Sequence, residues 1–222
     1  MADIAYEYFT NDSDYQVVAF TVHSSYFKEE EKFGLPVYRF ERINEYVEPD
    51  ETSIFIAIGY HDMNRLRVKI LSEAKKMGFT PASYVSSRAF VSKSAKIGEH
   101  CFVFEDNTIQ PFVIIGENNI LWSGNHIGHH SKIGSDNFIS SHVVISGWVE
   151  IGNNCFFGVN STIANGVKIS DFNWLNPGST LTKDLGSLNF ILGAESKATP
   201  LDIERLNRKL QNTSEKRPSF DS

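Results

Sequence analysis

The sequence lacks the features that mark several large classes of protein. It has two cysteines in 222 residues, and 21 lysines and arginines against 27 acidic residues give a formal net charge of −6. A disulfide framework and a basic surface for nucleic acid are therefore both poor interpretations. No stretch reaches the roughly 18 apolar residues that a membrane span requires, and the N-terminus has no basic segment followed by an apolar one. These absences predict a soluble, cytoplasmic protein with no nucleic-acid partner.

A six-residue repeat is the strongest pattern that is present. Every sixth residue from Val85 to Leu181 is apolar, with no polar exception. If such residues make up about a third of a chain, chance gives this series with a probability on the order of 10⁻⁸. The series is Val85, Val91, Ile97, Val103, Ile109, Ile115, Leu121, Ile127, Ile133, Ile139, Ile145, Ile151, Phe157, Ile163, Ile169, Leu175 and Leu181.

Small residues accompany each apolar one. Two positions earlier the residue is small or narrow, as at Cys101 and Cys155, and the next residue is often glycine or serine, as tight corners between short strands require. The pattern predicts a three-sided prism of short parallel strands, in which three repeats make one coil. Three coils then separate the two cysteines by roughly 14 Å, at ~4.8 Å per coil, which is too far for a disulfide.

This repeat resembles the left-handed parallel β-helix of hexapeptide-repeat acyltransferases, and most of the chain resembles their sialic-acid and bacillosamine-type sugar branch. The resemblance implies acetyl-CoA as acyl donor, a sugar or nucleotide-linked sugar as acceptor, and a homotrimer with active sites between subunits. It assigns residues 85–184 to the β-helix domain. The expected fold is thus mixed, with a partial Rossmann-like α/β domain before the β-helix and a short helix after it.

Residues 1–84 alternate between helix and strand patterns. The segments Gln16–Val22 and Ser53–Ile58 are typical of buried parallel strands. The segment Met63–Met77 is typical of a helix capped by Asp62 and ended by Gly78. The resembling family binds a nucleotide-linked sugar with a domain of this kind.

That family begins its domain with a strand and a glycine-rich loop. Here the chain begins at Met1 directly before an expected helix, Ile4–Phe9, so the opening strand and loop are absent. If Met1 is the true start, the two predicted strands must pair directly or leave exposed edges.

A second glycine-containing turn is the candidate sugar site. Gly59 and Tyr60 follow a predicted parallel strand, where ligands bind in such sheets, and the turn ending at Asn64 would bring helix N-terminal amides near a pyrophosphate. An ordinary capped helix after a tight turn explains the same residues equally well.

Residues 185–222 form the third segment, a loop, helix and tail. Gly193 and Lys197 match two positions of a Gly-Val-Pro-Ala-Lys segment in the resembling family. After them Leu201–Leu210 is typical of a short amphipathic helix, and Asn212–Ser222 of a polar tail.

Three of the seven histidines lie within five residues, in the segment Trp122–Gly134. Acyl transfer from a thioester needs a base, and histidine suits that role at neutral pH. By resemblance, His129 falls on the family's general base. The family has an acidic residue next, where this chain has His130, so no orienting partner for His129 is identified. His126 also faces outward and is expected to contact the acceptor.

The 18-residue coil predicts what lies above the base. Gly147 is one coil above His129, about 4.8 Å away, and its amide can stabilise the thioester oxyanion. Asn165 and Lys183 follow at one coil each. Together they predict an acyl-CoA groove, with Lys183 and Lys197 as ligands of its phosphates.

The preferred function is N-acetylation of a nucleotide-linked amino sugar with His129 as base, and the first alternative is sugar O-acetylation, since a histidine base serves either acceptor. A trimeric histidine–zinc enzyme is a further alternative, although no metal is expected, because His130 and His142 lie on different sides of one prism. A non-catalytic β-helix protein is the last. His126, His130 and His142 are also interpretable as solvated or interface residues.

Overall fold

The computed structural model describes residues 1–193 and residue 203. Apart from residue 203, the predicted helix Leu201–Leu210, the tail Asn212–Ser222 and the candidate phosphate ligand Lys197 lie outside the described residues. Within the described part of the chain, no helix is long and apolar enough to cross a bilayer.

An α/β region precedes the repeat. Strand β1 (Phe20–Val22) pairs in parallel with β3 (Leu35–Arg39), β2 (Glu31–Lys32) pairs antiparallel with β3, and β4 (Ser53–Ile54) pairs in parallel with β5 (Thr80–Pro81). Two short 3₁₀ turns, Ser24–Tyr26 and Phe40–Glu45, interrupt the connections. The elements in chain order are α1 (Ala2–Asn11), β1 (Phe20–Val22), β2 (Glu31–Lys32), β3 (Leu35–Arg39), β4 (Ser53–Ile54), α2 (Arg65–Lys76) and β5 (Thr80–Pro81).

The two strands predicted here are present but short, and they lie in different sheets. β1 therefore does not pair with β4, and each stands at the edge of its own sheet. Of the two expected arrangements, direct pairing or strands left at a sheet edge, the structure has the second. The predicted cap of α2 at Asp62 is wrong. Asp62, Met63 and Asn64 have φ of 51°, 50° and 66°, so the chain makes a left-handed turn and the helix begins only after Asn64.

Residues 84–191 form a β-helix of three parallel sheets, as predicted. Each strand pairs with the corresponding strand of the next coil, so that Ile127 lies beside Ile145. Sheet 1 contains β6 (Tyr84–Val85), β9 (Phe102–Val103), β12 (Ile120–Leu121), β15 (Phe138–Ile139), β18 (Phe156–Phe157), β21 (Trp174–Leu175) and β23 (Phe190–Ile191). Sheet 2 contains β7 (Phe90–Val91), β10 (Thr108–Ile109), β13 (His126–Ile127), β16 (Val144–Ile145), β19 (Thr162–Ile163) and β22 (Thr180–Leu181). Sheet 3 contains β8 (Lys96–Ile97), β11 (Ile114–Ile115), β14 (Lys132–Ile133), β17 (Glu150–Ile151) and β20 (Lys168–Ile169).

The apolar series fills the prism. From Val103 to Leu175 every member of the series is 5% exposed or less, whereas Val85 at the open end is 40% exposed. At the small-residue positions, Cys101 and Cys155 are buried free thiols, and burial raises the pKa of each to about 11. Buried asparagines at the same position bind turn backbone, as Asn119 does by donating to the Gly134 carbonyl at 2.8 Å.

Three corners join the sheets. Corner 1 leads from sheet 2 to sheet 3 and includes residues 110–112, 128–130, 146–148 and 164–166. Corner 2 leads from sheet 3 to sheet 1 and includes residues 98–100, 116–118, 134–136 and 152–154. Corner 3 leads from sheet 1 to sheet 2 and includes residues 104–106, 122–124, 140–142 and 158–160.

The corner glycines have a different reason from the predicted one. A Cβ on Gly128 would lie 2.4 Å from the backbone nitrogen of Gly147 in the next coil, so close approach between coils excludes a side chain. The left-handed conformation belongs to the residue two positions later, such as His130 (φ 59°) or Trp148 (φ 60°). Non-glycine residues adopt it here although it is strained for them.

The strands continue past the end of the six-residue series at Leu181. Corner 1 is shortened in the last coil, because Leu185 bridges Ile169 where the regular spacing would place Ser187. Phe190 then pairs with Trp174 at the same shortened spacing.

The outer surface of sheet 1 carries the N-terminal region. Tyr8 and Phe9 of α1 pack against Phe102, with ring centroids 6.0 and 5.6 Å away. Reading the position before each inward residue of sheet 1 gives an apolar ladder. Its members are Tyr84, Phe102, Ile120, Phe138, Phe156, Trp174 and Phe190.

Candidate active site

His129 is an exposed residue of corner 1, held by its backbone. Its N–H donates to Gln110 Oε1 at 2.9 Å, and its carbonyl accepts from the Trp148 N–H at 3.0 Å. Because both partners belong to neighbouring coils, the stacking of coils determines where this imidazole stands.

Gly147 lies directly above His129. A Cβ added to Gly147 would stand 2.9 Å from His129 Cε1, 3.0 Å from His129 Nε2 and 3.1 Å from Asn165 Oδ1. The structure therefore places these three residues in one column, with a space beside His129 Nε2 that a side chain at Gly147 would fill. Within residues 1–193 the Gly147 N–H has no hydrogen-bond acceptor.

Lys183 departs from this column. The 18-residue spacing predicts it above Asn165, but corner 1 is shortened between Leu181 and Leu185. Lys183 is exposed on this shortened corner. The separation of Lys183 from Asn165 therefore differs from the one-coil spacing that the sequence predicts.

His130 contacts His129, for which the sequence identified no orienting partner. The two Nδ1 atoms lie 3.1 Å apart, and the ring planes are nearly perpendicular at 87°. His130 also stacks on Trp148 with a centroid distance of 4.2 Å and an angle of 10°. The consecutive histidines form a pair on the surface of corner 1.

The other two candidate histidines stand elsewhere. His126 lies on β13 of sheet 2, between Thr108 and Val144 of the adjacent strands, and is partly exposed. His142 is an exposed residue of corner 3, where its ring covers Gly124. Neither side chain forms a hydrogen bond among the described residues. The same residues contain no group of three or more side chains that could hold a metal ion.

The candidate sugar residues lie on a different side of the chain. Tyr60 packs on sheet 1, 5.0 Å from Phe138 and 4.8 Å from Phe156 between ring centroids. The Gly59 carbonyl accepts from Arg67 Nη1 at 3.1 Å. Corner 1 is the vertex opposite sheet 1, so one chain does not bring Gly59 and Tyr60 to His129.

Asn64, the third candidate sugar residue, is fully buried. Its side chain donates to the Cys155 carbonyl at 3.4 Å and accepts from Arg67 Nη1 at 3.2 Å. These bonds use the Asn64 side chain within the fold.

Arg67 is a residue that sequence reasoning missed. It is fully buried between α2 and corner 2, where its guanidinium donates to Asn118 Oδ1 at 2.9 Å and to the carbonyls of Asn118 and Asn137 at 3.0 and 3.2 Å. Burial lowers its pKa to about 10. A lone arginine on the inner side of an amphipathic helix is the only signal that the sequence offers, since its partners in the β-helix are far away along the chain.

His100 completes this buried network. Its Nε2 accepts from the Ile56 N–H at 2.8 Å, and its Nδ1 lies 2.8 Å from Asn118 Oδ1, so Nδ1 carries the proton. The ring is 1% exposed, and burial lowers its pKa to about 4. The network attaches the N-terminal region to corner 2, and within the described part of the chain corner 1 stays uncovered.

Comparisons with known proteins agree with this architecture. The family model for the bacterial transferase hexapeptide (six repeats) matches residues 94–129 and 130–165. PerB from Caulobacter crescentus, solved with CoA and GDP-perosamine, is 25% identical with a TM-score of 0.65, over 72% of this chain and 77% of that one. No match was found among curated proteins.

Two further structures share the fold at lower identity. The acetyltransferase domain of PglB from Neisseria gonorrhoeae is 21% identical with a TM-score of 0.66, over 72% of this chain and 77% of that one. WeeI from Acinetobacter baumannii is 16% identical with a TM-score of 0.53, over 86% of this chain and 90% of that one. The match to the family model confirms the resemblance to hexapeptide-repeat transferases, and these structures show that the fold is shared.

Proposed function

We propose that this chain, which is a hexapeptide-repeat acyltransferase, transfers the acetyl group of acetyl-CoA to the amino group of a nucleotide-linked sugar. The amine nitrogen attacks the thioester carbonyl carbon, the C–N bond forms, and the C–S bond breaks. His129 Nε2 takes the proton that the amine loses, and the leaving CoA sulfur receives a proton in turn. A sugar hydroxyl is the alternative acceptor for the same base.

The column of His129, Gly147 and Asn165 is the observation that carries this proposal. An exposed imidazole nitrogen lies beside a space that only a glycine leaves open. An unpaired amide in that space can donate to the oxygen on which charge develops during thioester attack. Thioester and base thus have adjacent positions on one corner.

The acceptor class comes from the relatives. A structure 25% identical to this chain holds CoA and GDP-perosamine, which is a nucleotide-linked amino sugar. By this similarity we assign the acceptor to that class, with His126 as a contact. The exposed Lys183 is proposed as a ligand of the CoA phosphates.

The site requires a second copy of the chain. Gly59 and Tyr60 pack near sheet 1, whereas His129 stands on the opposite vertex. A neighbouring subunit of a homotrimer can bring its own N-terminal region to the uncovered corner 1. We therefore place the acceptor between the His129 of one subunit and the Gly59 and Tyr60 of the next.

Incubation with acetyl-CoA and a panel of nucleotide-linked amino sugars tests the activity directly. The matched hydroxy sugars form the second arm of the panel. We expect CoA release and a product heavier by one acetyl group with at least one amino sugar. Acetylation confined to the hydroxy sugars would select the O-acetyltransferase alternative, and no transfer to either would contradict the proposal.

Replacing the base tests the mechanism. His129→Ala is expected to lower kcat roughly 10²- to 10⁴-fold at pH 7 and to leave the calorimetric Kd of acetyl-CoA nearly unchanged. Neutral pH matters, because at high pH the amine arrives deprotonated and partly bypasses a missing base. His126→Ala is the matched variant. If it loses turnover while His129→Ala keeps it, the base is three residues earlier.

A further inference from the structure

We propose that His130 is a positioning residue that holds His129 in the tautomer a general base requires, an inference that rests on the proposed role of His129. The observation behind it is the 3.1 Å separation of the two Nδ1 atoms. A hydrogen bond between two imidazole nitrogens needs one that carries a proton and one that does not.

The direction of this bond follows from the rest of the corner. The open space beside Gly147 adjoins His129 Nε2, so the base must present its lone pair there. His129 then carries its proton on Nδ1 and donates it to His130 Nδ1, while His130 keeps its own proton on Nε2. Which nitrogen is protonated in a histidine is set by the hydrogen bond at the other.

The neighbours of His130 restrict the movement of its ring. Its ring lies between Trp148 and Phe112 of the neighbouring coils, with centroid distances of 4.2 and 4.7 Å. Its backbone N–H donates to the Pro111 carbonyl at 3.1 Å. Stacked aromatic neighbours and a backbone anchor restrict rotation of the acceptor, and an acceptor that cannot rotate fixes the donor ring as well.

The acceptor in this bond is a second imidazole. Within residues 1–193 no carboxylate forms a hydrogen bond or an ion pair with either ring. Phe112 and Trp148 pack against His130, the Gln110 amide accepts from the backbone N–H of His129, and the space beside Gly147 and Asn165 borders the His129 ring. Among these residues His130 is the hydrogen-bond partner of that ring.

Three substitutions at position 130 separate packing from hydrogen bonding, and the chain itself shows that each fits the left-handed corner. Phe112 has φ of 64°, Asn118 has 55° and Asp136 has 65° at equivalent positions. His130→Phe keeps the aromatic stack and removes the acceptor. His130→Asn keeps a neutral acceptor, and His130→Asp supplies a charged one.

We expect His130→Phe to lower kcat about 10- to 100-fold with the KM for acetyl-CoA unchanged. His130→Asn should recover most of that loss. His130→Asp should likewise recover turnover, because a carboxylate oxygen accepts the same hydrogen bond. His142→Phe, the same substitution at a corner with φ of 58°, is the control and should leave kcat unchanged.

A spectroscopic readout tests the inference without turnover. Histidine-selective ¹⁵N labelling reports the tautomer of His129, and loss of the signal in His129→Asn assigns it. The Nδ1–H form should dominate in wild type and in His130→Asn and give way to a mixture in His130→Phe. An unchanged tautomer and a wild-type kcat in His130→Phe would overturn the positioning role, even where His129→Ala still abolishes transfer. Absence of transfer in wild type would overturn the proposed function instead, and the tautomer result would still decide the role of His130.

Discussion

Two histidines of the β-helix have the same backbone conformation and opposite surroundings. His100 on corner 2 and His130 on corner 1 have φ of 55° and 59°. His100 is buried under the N-terminal region with both ring nitrogens bonded, whereas His130 lies on the surface beside the candidate base. The repeat determines the backbone of a corner, and the segment that covers it determines what its side chains can do.

The largest effect on stability is expected at the covered corner. Arg67→Met keeps the length of the side chain and removes all its donors. Among the described residues this leaves the buried Asn118 carbonyl without a hydrogen-bond partner, whereas the Asn137 carbonyl keeps the Ile120 N–H. Because an unpaired buried acceptor costs about 1–3 kcal/mol and the rest of the buried network is broken as well, we expect the free energy of unfolding to fall by about 3 kcal/mol. Denaturant titration at fixed protein concentration measures it.

Arg42→Met is the control for this variant. Arg42 is an exposed residue whose ion pair with Glu45 lies on the surface, and such pairs contribute about 0–1 kcal/mol. Equal losses in the two variants would show that the buried network does not attach the N-terminal region to corner 2.

A somewhat smaller effect is expected from pH at the same corner. The pKa of His100 is about 4 in the fold against 6.5 when exposed, so the unfolded chain binds this proton first. The contribution of His100 is complete above pH 6.5 and is lost as pH falls toward 4. The loss amounts to about 3 kcal/mol at ~1.4 kcal/mol per pKa unit. The shifted carboxyls Asp12 and Glu41, each with a pKa of about 2, act mainly below this window.

His100→Asn isolates that dependence. Asparagine accepts the corner conformation, as Asn118 shows with φ of 55°, and it does not titrate. Denaturant midpoints measured from pH 7 to pH 4.5 should fall less steeply in His100→Asn than in wild type. Parallel profiles would mean that another group causes the acid instability.

The sequence predicts one of these corners better than the other, for a physical reason. Corner 1 consists of residues related by the 18-residue period, so counting alone places Gly147 beside His129. Corner 2 depends on contacts between segments with no periodic relation, such as Ile56 with His100 and Arg67 with Asn118. Periodicity does not report such contacts.

Two features of the repeat itself also escaped prediction. The apolar ladder on sheet 1 follows the same period one position earlier, and that reading would have found the surface on which the N-terminal region packs. The shortened corner after Leu181 would not have been found, because Leu185 continues the prism at a four-residue spacing. Backbone pairing determines that position, and the six-residue pattern carries no sign of it.

The smallest change in stability is expected at the uncovered corner, from Gly147→Ala. The new Cβ would meet the ends of two side chains, His129 at 2.9 Å and Asn165 at 3.1 Å, and both can move. We therefore expect the free energy of unfolding to fall by no more than about 1 kcal/mol. The calorimetric Kd of acetyl-CoA should rise roughly tenfold or more, because the methyl group fills the space assigned to the thioester. Gly128→Ala is the matched control, since its Cβ would stand 2.4 Å from backbone that cannot move, and it should destabilise the fold strongly. If Gly147→Ala binds acetyl-CoA as wild type does, the thioester lies elsewhere and the column does not form the donor site.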